Sequence, residues 1–134
     1  MLENTPIKTP PDRKIVAPII SHIQLLYKEI YAIGNQIPKR DKLGLHANIE
    51  KICINMLSKS IQASLKDREI KQQTLKELRI EIEILKHLIR IEFELNIIKE
   101  KSYLSIQEKL QEISKEAVGW EKYANKNSPQ GELL

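Results

Sequence analysis

At 134 residues, 41% hydrophobic and only 4% aromatic, the chain has room for one small domain whose core must be built from Ile and Leu. A net charge of +4 leaves a polyanionic partner open, although 18 acidic residues dilute the field. The single cysteine, Cys53, excludes an internal disulfide and a cysteine-based zinc cluster, no apolar run approaches the ~20 residues of a membrane span, and the N-terminus lacks the apolar segment of a signal peptide, so a cytoplasmic protein is expected.

Pro6, Pro10 and Pro11 lie among polar residues and suggest a flexible leader over residues 1–11. The first helix is expected to begin near Asp12 or near Pro18. Pro18 suits a first helical turn if the helix starts there and marks a kink if it starts at Asp12. Ile20, Ile23, Leu26, Tyr27, Ile30 and Ile33 keep helical spacing until Gly34, Asn35 and Pro38 end it. Asp41 is a candidate N-cap for a second helix over residues 42–65, with Leu45, Ile49, Ile52, Met56 and Ile61 as its buried line. Cys53 lies between Ile52 and Ile54 and reads as a small buried hydrophobe.

From Asp67, a cap, the sequence reads as one helix to Ile98, without Gly or Pro and apolar on two sides. Ile alternates with charge from Arg79 to Ile84 as it would in a strand, but the alternation is short and helical spacing holds on both sides of it. With about 100° per residue, Arg68, Lys86 and Arg90 project within roughly 20° of Arg79, so four cations share one line. Leu75, Leu78, Ile82, Leu85, Ile89 and Phe93 form one flank of that seam; Ile80, Ile84, Leu88, Ile91, Leu95 and Ile98 form the other. One flank is enough to close a bundle, and a second calls for another partner.

Lys99, Glu100 and Lys101 read as a polar turn, and Ser102 as the cap of a fourth helix whose apolar positions are Tyr103, Ile106, Leu110, Ile113, Ala117 and Trp120. Residues 125–134 read as a mobile tail. Four helices with short connections over residues 12–124 imply an all-α fold, an antiparallel up-down four-helix bundle.

The sequence offers little for catalysis. A di-metal bundle needs paired Glu-x-x-His motifs, and His22, His46 and His87 form none. Glu83 and His87, four apart at the edge of the third helix, suit a surface hydrogen bond or no contact. His46 reads as a surface or capping histidine. The four glycines are isolated, with no phosphate-binding loop and no nucleophile elbow. No enzyme, no cofactor and no metal site is expected. Trp120 suits the end of the core or a subunit contact better than a base-stacking platform, and the tyrosines suit packing.

The basic residues remain as candidates for function. Lys39, Arg40 and Lys42 cluster before the second helix, and the third helix adds Arg68, Arg79, Lys86 and Arg90. Such cations can form a solvated face whose long stems cover apolar surface. Arg at three of four seam positions favours bidentate phosphate contact instead, and oligomerisation would repeat the seam into a stronger field.

The run Ile37-Pro38-Lys39-Arg40-Asp41-Lys42-Leu43-Gly44-Leu45 resembles a small bacterial four-helix-bundle superfamily. It contains the 23S rRNA intervening-sequence proteins and the accessory variability determinant (Avd) proteins of diversity-generating retroelements. The resemblance continues at Ile61-Gln62-Ala63, Leu85-Lys86-His87-Leu88-Ile89-Arg90, Glu94-Leu95, Tyr103 and Gly119-Trp120, over residues 18–123. The ribosomal-insert branch typically carries a proline within the second helix where this chain has Leu57, so the sequence is closer to Avd.

The resemblance implies a non-enzymatic accessory protein, expected to form a homopentameric ring, that binds RNA or DNA without sequence specificity and associates with a reverse transcriptase to support mutagenic cDNA synthesis. Lys86 and Arg90 match basic positions of the third helix, and Lys39 and Lys42 match those of the turn. His87, Glu92 and Phe93 depart from the pattern, and Glu92 with Glu94 is expected to lower the local positive field. A structural or protein-interaction role like that of the ribosomal-insert relatives is the alternative. On either reading Ile80, Ile84, Leu88, Ile91, Leu95 and Trp120 pack in the core or between subunits.

Overall fold

Helical periodicity in the sequence becomes five α-helices in the computed structural model, which describes residues 10–126. They are α1 (Pro10–Ile33), α2 (Lys39–Leu43), α3 (Leu45–Leu65), α4 (Arg68–Glu94) and α5 (Glu100–Lys126), with a single 3-10 turn at Gly34–Gln36. No strand occurs among the described residues. The four long helices form the bundle, each packed against two neighbours in the cyclic order α1, α3, α4, α5. Contacts between their ends show that neighbours run antiparallel. His46 at the start of α3 meets Ile30 near the end of α1 and Glu92 near the end of α4, while Lys109 of α5 pairs with Glu29 of α1.

The core is the apolar line of each helix brought together. Ile19, Ile23, Leu26 and Ile30 come from α1, Ile49, Cys53, Met56 and Ala63 from α3, Leu75, Leu78, Ile82, Leu85 and Ile89 from α4, and Ile106, Leu110, Ile113, Ala117 and Trp120 from α5. Each fully buried Leu or Ile contributes about 1.5–3 kcal/mol relative to leaving it exposed. Cys53 is buried as its neighbours suggested, and burial pushes its thiol up to about 12, where it is no nucleophile. Of the expected line on the second helix, Ile49 and Met56 are buried and Leu45 and Ile52 are half-buried, but Ile61 is exposed, because it lies on the opposite side of α3 from Met56 and Ala63.

Three expected boundaries are corrected. Asp41 does not cap a helix over residues 42–65; it lies inside α2, whose N-cap is Pro38, and the chain breaks at Gly44 before α3 begins. A Cβ at Gly44 would lie 3.0 Å from the Arg40 carbonyl oxygen, so the tight junction requires glycine. Ser102 is likewise no cap, since α5 already starts at Glu100.

The third correction is that α4 ends at Glu94 and does not continue to Ile98. Asn96 takes a left-handed conformation (φ 62°), the Ile97 amide donates to the Glu92 carbonyl at 2.8 Å, and the Asn96 amide donates to the Phe93 carbonyl at 3.0 Å. These paired bonds are a Schellman stop, with Asn in place of the commoner glycine. The turn carries Ile98 back into the core. Asp67 does cap α4, its carboxylate accepting from the Ile70 amide.

Of the expected leader and tail, residues 10–11 belong instead to α1 and residues 125–126 to α5, and residues 1–9 and 127–134 lie outside the described residues. Among the described residues no helix is long and apolar enough to cross a membrane.

Candidate nucleic-acid interface

The middle of the α4 seam lies beside α5. Arg79 Nη1 donates to Glu121 Oε1 of α5, and the Gln107 side chain of α5 donates to the Lys86 carbonyl at 3.1 Å. Since these two contacts fix α5 on the seam side of α4, the row that points most directly away from the core is the second apolar flank. Ile80 is 60% exposed and Leu95 62%, Ile84 and Ile91 are also exposed, and Leu88 is half-buried. The first flank is the core flank, with Phe93 at its end stacked on Tyr103 of α5 at 4.4 Å between ring centroids. Trp120 is fully buried, which puts it in the core of this chain and not on an exposed contact surface.

Most of the seam is matched by acid. Arg79 pairs with Glu121, Lys86 with Glu83 at 3.0 Å, and Arg90 with Glu94 at 3.0 Å. Only Arg68, exposed in the first turn of α4, has no ion pair among the described residues. The Arg90 guanidinium is held above its usual value by its hydrogen bond to Glu94, so it stays charged while locally neutralised. An open groove of about 610 Å³ runs along the α4–α5 junction beside the seam, bordered by Arg79, Ile80, Ile84, His87 and Ser114. His87 is exposed, and Glu83 is engaged by Lys86.

The cluster before α3 is different. Lys39, Arg40 and Lys42 lie on α2, a one-turn helix that buries none of its residues, and none of the three has an ion pair among the described residues. The α2 segment belongs to the end of the bundle where α1 and α4 finish and α5 starts. That end also carries Lys99, in the turn after α4, and Lys101, in the first turn of α5, both exposed. The sequence reading missed these two lysines as binding residues. Their signal was available: in an up-down bundle the first and third long connections must lie at the same end. Arg68 is at the opposite end.

Beneath this basic end lies a buried polar pair. His46 was expected at the surface; the structure buries it, because its position in the first turn of α3 faces α1 and α4. Its Nδ1 donates to Glu92 Oε2 at 2.7 Å and its Nε2 donates to the Ile30 carbonyl at 2.8 Å. Burial pulls the imidazole down, but the Glu92 hydrogen bond, the Ile30 carbonyl and the Glu50 carboxylate 3.8 Å away together hold it above its usual 6.5. Glu92 is also fully buried. The expectation that it lowers an external positive field is therefore corrected: its charge is turned inward and matched by His46. Gly34 allows this packing, since a Cβ there would lie 3.3 Å from the His46 ring.

Among the described residues no group of three or more His, Cys, Asp or Glu side chains is placed to hold a metal ion. What the arrangement offers is charge and apolar surface: a basic end suited to phosphate oxygens, and an apolar row on α4. A family model described as bAvd-like matches residues 19–124, a span that takes in part of α1 and all of α2, α3 and α4 and reaches Ala124 of α5. This span agrees within one residue at each end with the stretch of the sequence resemblance. Among curated proteins no match is found.

Proposed function

Because the chain belongs to the bAvd-like family, we propose that it is a non-catalytic accessory protein of a diversity-generating retroelement. It assembles into a ring, binds the sugar-phosphate backbone of RNA or DNA without base specificity, and associates with the reverse transcriptase that performs the synthesis. The observation that supports backbone binding best is the basic end, where Lys39, Arg40, Lys42, Lys99 and Lys101 are exposed and outside any ion pair among the described residues. Unpaired surface cations release counterions when they meet phosphate, whereas cations already matched by carboxylates must first break those pairs. Backbone contact of this kind positions a nucleic acid and reads no sequence. On this reading α2 leads and the α4 seam is secondary, which reverses the weight that helical geometry alone assigns.

The test compares two triple variants by fluorescence anisotropy with labelled single-stranded RNA and DNA over a salt series. Changing Lys39, Arg40 and Lys42 to Gln should weaken binding about tenfold or more and lower the salt slope by about two to three, as expected for that many lost phosphate contacts. Changing Arg79, Lys86 and Arg90 to Gln should have the smaller effect. Equal binding by the first variant and the native protein would remove the basic end from the interface. No association of the native protein with either nucleic acid at moderate salt would favour the protein-interaction role.

A further inference from the structure

The sequence assigns the tyrosines to packing, and Tyr27 and Tyr103 are half-buried. Tyr31 differs. It is 60% exposed and is the one exposed aromatic ring among the described residues. Tyr27, one turn earlier on α1, supports it from below at 6.2 Å between ring centroids, tilted by 32°. Packing places this ring at the basic end. The Ile23 carbonyl lies 4.0 Å from Cys53 Sγ and the Ile30 carbonyl accepts from His46 Nε2, so the antiparallel register of α1 and α3 sets Tyr31 level with the first turn of α3, which α2 adjoins through Gly44. The ring also lies on the α3 side of α1. Glu29 and His22 reach across to α5, and Tyr31 projects roughly 160° from Glu29.

Free cations stand on both sides of the ring along the chain. Lys28, exposed and without an ion pair among the described residues, precedes it by one turn of α1 and projects roughly 60° from it. Beyond the end of α1 come Lys39, Arg40 and Lys42 of α2, equally unpaired. Of the neighbouring carboxylates, Glu29 is held by Lys109 at 2.8 Å and Glu50 is turned inward to His46 at 3.8 Å, which leaves Asp41 of α2 among the cations. Phosphate contact by itself needs no aromatic ring, and a purely apolar partner needs no cations. A flat ring between free cations suits a ligand in which anionic groups alternate with flat apolar ones. An unpaired nucleic-acid strand has that chemistry, whereas in a duplex the base faces are covered by one another. We propose that Tyr31 is a base-stacking platform: one unpaired base lies on its ring while Lys28 and the α2 cations hold the adjoining phosphates, so the basic end takes single strands in preference to duplexes. Stacking of this kind accepts any base. The inference rests on the backbone-binding reading of the basic end and adds the strand state of its ligand.

Fluorescence anisotropy with three labelled DNAs of equal length tests it: an ordinary single strand, an abasic single strand and a blunt duplex. Tyr31→Ala should bind the ordinary strand about five- to tenfold more weakly at an unchanged salt slope, because it loses stacking and no charge. Tyr31→Phe keeps the ring and should bind as the native protein does. The abasic strand keeps the phosphates and lacks the bases, so the native protein should bind it more weakly than the ordinary strand, and Tyr31→Ala should lose nothing further on it. On the duplex, Tyr31→Ala and the native protein should bind alike. If Tyr31→Ala matches the native protein on the ordinary strand, or weakens all three DNAs equally, stacking is overturned and the phosphate contacts of α2 stand. A native protein that binds none of the three overturns both readings. Because Tyr31 is exposed, the helical circular dichroism of each variant should be native. Should Tyr31→Ala fail to fold, the native protein alone decides, since equal affinity for the ordinary and abasic strands overturns the proposal without any substitution.

Discussion

His46 and Glu92 show how far a side chain's role can lie from its local pattern. Each stands in a stretch of sequence that reads as polar surface, yet both are buried and joined by a 2.7 Å hydrogen bond. Removing one partner strands the other in the interior, so Glu92→Ala should destabilise the fold by about 3–5 kcal/mol, measured by urea denaturation. Replacing both with Leu should cost far less or stabilise slightly, because the pair's mutual attraction only offsets its desolvation. The sign of the pH dependence follows from the raised imidazole. Its folded value is above the unfolded 6.5, so its stabilising contribution is complete below pH 6.5 and is lost as pH rises through the folded value. The native protein should therefore lose stability across that window, and His46→Leu/Glu92→Leu should not show this loss. Neither residue was legible as a buried partner, because their separation of 46 positions carries no periodic signal.

At the level of elements, helix interiors were read well and helix ends less so. Asp67 caps α4 as expected because a short carboxylate before a helical run accepts from an amide in the first turn wherever it stands. Asp41 has the same chemistry, but Pro38 starts a helix three residues earlier and absorbs it. The end of α4 depends on one residue. Asn96 is not a strong breaker and Ile97 and Ile98 continue the apolar spacing, so the sequence extends the helix; the stop comes from the left-handed turn at Asn96. Asn96→Gly should raise stability modestly by removing the Cβ from a positive-φ position, whereas Asn96→Ala should lower it by about 1 kcal/mol, because Ala keeps the Cβ and loses the short amide side chain that favours the left-handed region, both read by chemical denaturation. If both changes were neutral, the turn would contribute nothing beyond connection.

At the scale of the whole molecule, charge placement matters more than net charge. A balance of +4 over the chain is modest, but antiparallel packing brings two connections to one end and concentrates Lys39, Arg40, Lys42, Lys99 and Lys101 there, while ion pairs quench three of the four seam cations. Lys99→Gln with Lys101→Gln should therefore weaken nucleic-acid binding further when added to the α2 triple variant, and lower the salt slope again. A five-site variant that binds no more weakly than the triple would place the phosphate track on α2 alone.

The sequence by itself determined the all-α class, the four long amphipathic runs, most of the apolar core and the family, because helical periodicity and short motifs are local and survive without knowledge of neighbours. It also showed that the α4 segment carries a second apolar flank. Only the tertiary structure decided which charges are free. Whether a cation is solvated or matched depends on the helix packed beside it, as Glu121 of α5 shows for Arg79 and Glu92 of α4 shows for His46. Those partners are 42 and 46 residues away along the chain, and only packing brings them together.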